Sequence, residues 1–293
     1  MIEDFKRELM SLYEQEELDQ IILYSFEHCC SFTRADLILH SDKELSIEEK
    51  SQLRAVLHGL CSGRPVQYVL GYSWFMDHKL KVSPAVLIPR PETEELVRWI
   101  IQDHEAKASV NLKVLDICTG SGCIALSLAY RFPEWKLQAT DISPEALKIA
   151  LENNRIMNTD VGFLEADFLN WEVNDDHLTP DIGSQIKNKS LDLIVSNPPY
   201  VLEGERAEMN SRVYDNEPSL ALFVPNDDPL IFYRKIAEFA SSKLRQGGKI
   251  YLEINRAYAK DIVRLLKDCS FTGILVKKDI LDNERMVSAT FNS

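Results

Sequence analysis

Four consecutive residues, Asn197-Pro198-Pro199-Tyr200, follow the apolar run Leu191-Asp192-Leu193-Ile194-Val195 with only Ser196 between. A carboxamide, a backbone carbonyl and an aromatic ring held in fixed relation suit one task, the capture of a planar NH2 group whose lone pair must face an electrophile. An amide or exocyclic ring amine is a poor nucleophile because that lone pair is delocalised. The Asn197 side-chain oxygen and the carbonyl of the next residue can each accept one of the two N–H hydrogens, which fixes the group and draws its nitrogen toward tetrahedral geometry. Pro198 and Pro199 bring no N–H, fix φ and keep the residue before each of them extended. Tyr200 can lie flat on the target group. The plainer reading is a strand-ending turn, which Asn-Pro commonly marks. By ordinary composition the tetrapeptide arises by chance in roughly one chain in a thousand, which favours the chemical reading.

A second set of residues suits a nucleoside. Asp116-Ile117-Cys118-Thr119-Gly120-Ser121-Gly122 forms the first strand-to-helix turn, where ligands bind in an open α/β sheet. Gly120 and Gly122 let backbone approach a ligand closely, although the dinucleotide pattern G-x-G-x-x-G is only partly met, since Ala125 takes its sixth position. Asp141 ends the second strand and can accept hydrogen bonds from both hydroxyls of a ribose. Asp167 ends the third, placed to accept from an adenine amine, and Phe168 can pack on the ring. Each element alone has an ordinary explanation as an N-cap or turn residue; the ordered set carries the weight. A nicotinamide dinucleotide and S-adenosylmethionine both satisfy such a site. The Asn-Pro-Pro-Tyr element suits presenting an NH2 group to a methyl sulfonium and has no obvious use in hydride transfer.

These residues need elements to hold them. Residues 1 to about 62 read as helices: Phe5, Leu9, Leu12 and Tyr13 recur at helical spacing, followed by Leu18, Ile21, Ile22, Ser25 and Phe26. Ser46 and Glu49 form a capping box for a further helix that ends near Gly63. From Pro65 to Pro89 the pattern predicts short β segments, Val66 to Leu70 and Lys79 to Val82, as a β-hairpin linker. Pro91 opens a helix with Glu92, Glu94 and Glu95 in its first turn. Beyond residue 111 strands and helices alternate: strands at 114–117, 137–140, 162–166, the run ending at Ser196, and 249–254, with helices at 124–130, 145–154 (capped by Ser143), 228–244 and 257–267. The polar stretch 170–189 reads as loop, and two strands, 271–278 and 285–291, close the chain. The expected fold is α/β, a doubly wound and mostly parallel sheet, with a small N-terminal all-helical domain. The expected domains are residues 1–64, the linker 65–90, and a catalytic domain over 91–293. The helical domain either covers the catalytic domain or docks a substrate protein.

The chain has 293 residues, enough for about two domains. With 33 basic and 46 acidic residues its formal charge is −13, and no dense Lys/Arg block offers duplex DNA a phosphate-gripping face. A basic protein is the easier partner. Six cysteines, Cys29, Cys30, Cys61, Cys118, Cys123 and Cys269, show no C-x-x-C pairing, and six histidines form no H-x-x-x-H pair, so reduced thiols and no metal are expected. No apolar run reaches the roughly 20 residues that span a bilayer, and Met1 to Lys6 lack the regions of a signal peptide. The expected location is the cytoplasm, with no membrane partner.

Taken together, these segments resemble the class I methyltransferases and, within them, the release-factor glutamine methyltransferases (the HemK-type family). The resemblance rests on the helical N-terminus, Gly63-Arg64-Pro65-Val66-Gln67-Tyr68 with Gly71, and the run Leu87-Ile88-Pro89-Arg90-Pro91-Glu92-Thr93-Glu94-Glu95-Leu96-Val97. It continues through the glycine turn, Asn197 to Tyr200, Glu217-Pro218 and Asp282-Asn283-Glu284-Arg285. Pro-Arg-Pro-Glu-Thr-Glu discriminates most, since nucleic-acid enzymes sharing Asn-Pro-Pro-Tyr generally lack it. The resemblance implies methyl transfer from S-adenosylmethionine to the side-chain nitrogen of the glutamine in the Gly-Gly-Gln loop of peptide chain release factors. It implies that Cys118, Thr119, Gly120, Ser121, Gly122, Asp141, Phe168 and Asn197 bind the donor, and that Asn197, Pro198, Pro199 and Tyr200 hold the glutamine. The chain departs from the family at Cys118, where a first glycine is usual, and at Asn255, where a glycine follows Glu-Ile. Arg90, Glu92 and Asp282 to Arg285 have helix capping and solvated salt bridges as their ordinary roles. The alternative enzyme methylates an adenine or cytosine amine in nucleic acid; the non-enzyme alternative is a cofactor-binding adaptor acting through its helical domain.

Overall fold

A computed structural model describes residues 1–39, 44–107, 110–171 and 182–292. The chain divides into two units, Met1–Tyr72 with Asn210–Asn216, and Ser73–Met209 with Glu217–Ser293.

The first unit is helical: α1 (Ile2–Leu9), α2 (Gln15–Cys30), α3 (Arg34–Leu39), α4 (Ile47–Cys61) and α5 (Val66–Leu70). Its apolar spacing buries Phe5, Leu9, Leu18, Phe26, Leu53 and Leu60 in one cluster. The expected capping box opens α4: the Glu49 N–H donates to Ser46 Oγ at 3.1 Å and the Ser46 N–H donates to Glu49 Oε2 at 2.6 Å. The strand expected over Val66 to Leu70 is instead helix α5. Pro65 starts it, Gly71 ends it in the left-handed region at φ 79°, and the Gly71 N–H donates to the Gln67 carbonyl at 2.8 Å. Tyr68 and Leu70 are buried by this turn. Residues 210–216 also belong here. The Arg212 guanidinium lies 3.7 Å from the centroid of the Tyr13 ring and pairs with Glu17 at 3.3 Å, and Asn216 Nδ2 donates to the Gly63 carbonyl at 3.3 Å.

A hairpin of β1 (Tyr72–Phe75) and β2 (His78–Lys81) leads onward, so the ribbon expected between Pro65 and Pro89 is confined to these residues. Then follow α6 (Pro91–His104), β3 (Lys113–Ile117), α7 (Cys123–Arg131), β4 (Lys136–Asp141), α8 (Pro144–Met157), β5 (Val161–Glu165) and β6 (Leu191–Ser196). Short strands β7 (Val201–Leu202) and β8 (Phe223–Val224) pair with each other. Next come helix Ile231–Lys243, β9 (Leu244–Glu253), helix Ala259–Asp268, β10 (Phe271–Lys278) and β11 (Glu284–Phe291). Phe168–Asn170 form a 3-10 turn that ends where the expected loop begins; within that loop, 172–181 lie outside the described residues and Ile182–Gln185 form a single helical turn.

Seven strands form one sheet in the order β10-β11-β9-β6-β3-β4-β5, parallel except for β11, which runs antiparallel between β9 and β10. Strand residues alternate between two apolar layers: Val114, Leu193 and Val195 face one cluster, Leu115, Ile117 and Ile194 the other. Register aligns the carboxyl ends, with Ile117 beside Thr140 and Ser196, Asp141 beside Glu165, and Ser196 beside Leu252. The order reverses between β3 and β6, which is where an open α/β sheet leaves its ligand crevice. Among the described residues no helix is long and apolar enough to cross a membrane.

Candidate active site

A cavity within the second unit opens beyond these strand ends. Each strand contributes its next residues to it: Cys118 to Ser121 after β3, Asp141 at the end of β4, Asp167 and Phe168 after β5, and Asn197 and Pro199 after β6. The segment from Ala85 to Arg90 and Thr93 on α6 complete another wall. Gly122, Pro198 and Tyr200 do not line it.

The glycine turn is held by the acid of the neighbouring strand. Asp141 Oδ2 accepts from the Gly120 N–H at 2.8 Å and Oδ1 from the Ser143 N–H at 3.0 Å. Each oxygen keeps a further lone pair. Burial pushes this carboxyl above its usual range. Gly122 is required twice over: its φ is 84°, and a Cβ there would meet Leu126 Cδ1 at 2.9 Å. Cys118 has φ 60°, so this departure from the family places an L side chain in the backbone region that favours glycine. Asp167 caps the following turn, with Oδ1 accepting from the Leu169 N–H at 3.1 Å and Oδ2 from Asn170 Nδ2 at 2.7 Å. Phe168 is buried and meets Phe239 edge-on at 5.1 Å.

The residues after β6 are tied to α6 and β9 by a chain of polar contacts. Asn197 Nδ2 donates to Thr93 Oγ1 at 3.0 Å, and the Thr93 hydroxyl donates to Glu253 Oε2 at 2.6 Å. The Tyr200 hydroxyl donates to Glu253 Oε1 at 3.0 Å. Both carboxylate oxygens accept, the arrangement of an ionised group. Glu253 is fully buried, and burial raises its pKa while the bonds from Thr93 and Tyr200 and the charge of Arg285 oppose the rise. Asn255, the second departure, has φ −70° and needs no glycine. Its Nδ2 donates to the Tyr200 carbonyl at 3.1 Å and its N–H donates to the Tyr233 hydroxyl at 3.2 Å, so this residue braces the same loop.

Residues 1–71 match the family described as PrmC N-terminal domain, and residues 98–213 that described as methyltransferase small domain. The release factor glutamine methyltransferase of Flavobacterium psychrophilum is 40% identical over 288 residues, 98% of this chain and 96% of that one. The protein of the same name from Bacteroides thetaiotaomicron is 40% identical over 287 residues, 97% and 96% of the two chains. The chain belongs to the release factor glutamine methyltransferase family. It is therefore a methyltransferase. A crystal structure of a methyltransferase from Pyrococcus furiosus, 17% identical, shares the fold with a TM-score of 0.50 over 74% of this chain and 91% of that one.

Within this glutamine methyltransferase, the remaining candidates divide. Arg90 lines the cavity and is held by Glu217, whose Oε1 accepts from the guanidinium at 2.6 Å and whose Oε2 accepts from the Ile88 N–H at 3.0 Å. Glu92 lies in the first turn of α6 and is not on the cavity wall. Nor is any of Asp282 to Arg285: Asp282 accepts from Lys278 Nζ at 2.8 Å, Asn283 Oδ1 from Arg256 at 2.7 Å, and Arg285 Nε donates to Asp279 Oδ2 at 3.2 Å. Sequence reasoning gives Thr93, Glu217 and Glu253 no role of their own. Glu253 carried a signal, an acid at the end of the apolar run Ile250-Tyr251-Leu252 in a central strand. Thr93 and Glu217 stand in segments that carry the resemblance, but nothing there announces their contacts, because their partners lie more than a hundred residues away.

Proposed function

We propose that this chain transfers a methyl group from S-adenosylmethionine to the side-chain amide nitrogen of the glutamine in the Gly-Gly-Gln loop of peptide chain release factors, and thereby modulates translation termination. One observation carries the reading: the Nδ2 of Asn197 is spent on Thr93, which leaves Oδ1 as the acceptor that Asn197 offers to the cavity. Membership in the family, and the names of relatives matched over nearly their full length, support the choice of substrate.

The residues present fit the donor. Asp141 holds the turn through one lone pair on each oxygen and accepts ribose hydroxyls through the others. Asp167 and Phe168 would take the adenine, and the backbone of Cys118 to Ser121 would approach the donor's chain. S-adenosylmethionine would supply a methyl carbon on a sulfonium, open to attack by the amide lone pair while the thioether leaves with the C–S bonding pair. Asn197 Oδ1 accepts one of the two N–H hydrogens and turns that lone pair in line; Pro198, expected to take the other through its carbonyl, does not line the cavity. Val86, Leu87, Pro89 and Ile124 give the cavity apolar walls, which exclude water from a reaction that disperses charge. No strong base is needed, since a protonated, N-alkylated amide loses its proton to water. Positioning of this kind is worth on the order of 7 to 11 kcal/mol.

Incubation with labelled donor and a purified release factor, followed by peptide mass mapping, tests the proposal. The label is expected on the loop glutamine; label on another residue, or none, rejects it. In the same assay Asn197→Ala is expected to keep donor affinity by calorimetry and to lose turnover by about a hundredfold.

A further inference from the structure

An asparagine amide is nearly symmetrical in shape, and its oxygen and NH2 end exchange places by rotation about one bond. In this cavity the two states are chemical opposites. With Oδ1 inward, Asn197 accepts a hydrogen from an incoming NH2; with Nδ2 inward, it opposes a donor with a donor. The loop itself does not choose between them, because Pro198 and Pro199 offer no N–H that could hold the oxygen outward.

The choice is made across three elements far apart in sequence. Glu253 on β9 accepts through both carboxylate oxygens, from Thr93 at 2.6 Å and from Tyr200 at 3.0 Å. A threonine hydroxyl has one hydrogen, and it is committed to the carboxylate. Thr93 Oγ1 therefore meets Asn197 only as an acceptor, and the contact at 3.0 Å must come from the NH2 end of the amide. Burying a carboxylate is costly even when it is hydrogen-bonded, and an apolar side chain would fill the space at less expense. The retained charge needs a use beyond packing.

We infer that Thr93 and Glu253 are positioning residues that set the polarity of the Asn197 amide, and that this polarity makes the site selective for a group donating hydrogens, as a carboxamide NH2 does. The inference rests on the function proposed above. A carboxylate, an ester or a tertiary amide presents no hydrogen to Oδ1 and is refused, so the relay acts on the glutamine and not on the methyl donor.

The test uses the full chain, labelled S-adenosylmethionine and a release factor, with kcat and KM for the protein substrate and calorimetric affinity for the donor. Thr93→Val keeps the shape and removes the acceptor; it is expected to lower kcat by roughly tenfold to a hundredfold and leave donor affinity within about twofold. Thr93→Ser restores the hydroxyl and is expected to restore kcat to within about threefold. Glu253→Gln probes the relay from its other end, since its NH2 can donate to Thr93 and release the amide to rotate; a comparable fall in kcat is expected. Because Thr93 acts through Asn197, adding Thr93→Val to Asn197→Ala should cost almost nothing more. The inference is overturned if Thr93→Val and Glu253→Gln turn over like the parent, or if serine fails to rescue. It is also overturned if the losses at Thr93 and Asn197 multiply. If the parent protein itself leaves the loop glutamine unlabelled, the function proposed above falls, and that result is distinct from any of these.

Discussion

Asp116 lies in the middle of the sheet with a fully buried carboxyl. Its Oδ2 accepts from the Thr119 hydroxyl at 2.6 Å and from the Ala125 N–H at 3.3 Å, while Oδ1 has no partner among the described residues. Burial pushes its pKa up to about 7 from an ordinary 3.8. The folded protein therefore holds a proton that the unfolded chain releases, and this group's contribution to stability is complete below about pH 4 and lost as pH rises through 7. The slope is about −1.4 kcal/mol per pH unit in that window. Asp116→Asn keeps an oxygen for Thr119 and Ala125 and cannot ionise. Denaturant titrations without donor should show the parent losing stability relative to this variant between pH 5 and 7; parallel curves would refute the assignment. At this scale the sequence displayed residues that end strands, because position alone marks Asp141, Asp167 and Asn197. It showed Thr93 and Glu217 only as members of the resembling segments and hid their contacts, which come from partners brought near by folding.

The segment from Ala85 to Arg90 forms a wall of the cavity without regular structure of its own, and Glu217 supplies what a strand partner would. Its carboxylate is buried between the Ile88 N–H and the Arg90 guanidinium. Glu217→Ala strands an amide and a charge together and should cost about 3 kcal/mol of stability, with weaker donor binding; chemical unfolding and calorimetry check both. Glu217→Gln keeps an acceptor for Ile88 and should cost less. Regular elements were the most legible part of the sequence. The capping box at Ser46, Pro91 at the start of α6 and the alternation through the sheet all lie where local chemistry puts them. Val66 to Leu70 did not follow, since five residues fit both a period of two and a helical turn. Burial of Tyr68 and Leu70 and the left-handed Gly71 decided for the helix.

On the scale of the molecule, a formal charge of −13 is a long-range property that favours encounter with a basic partner and weakens as salt is added. The division into units is not the one that a reading along the chain expects. Residues 210–216 stand among the catalytic segments in sequence but belong with the N-terminal helices, anchored by Arg212 on Tyr13 and Glu17 and by Asn216 on Gly63. No composition shift announces this, because the signal is a single arginine above one ring. A protein truncated to residues 73–293 leaves that heptapeptide without its anchors, and limited proteolysis should cut it between Met209 and Glu217 faster than it cuts the full chain. Equal rates would show that the anchors contribute nothing.

The same excursion sets a rule for exchanging parts between family members. The helical unit draws its residues from two places in the sequence, so a chimera must import two stretches, 1–72 and 210–216, from one parent. A graft of the first alone sets foreign helices against a native heptapeptide.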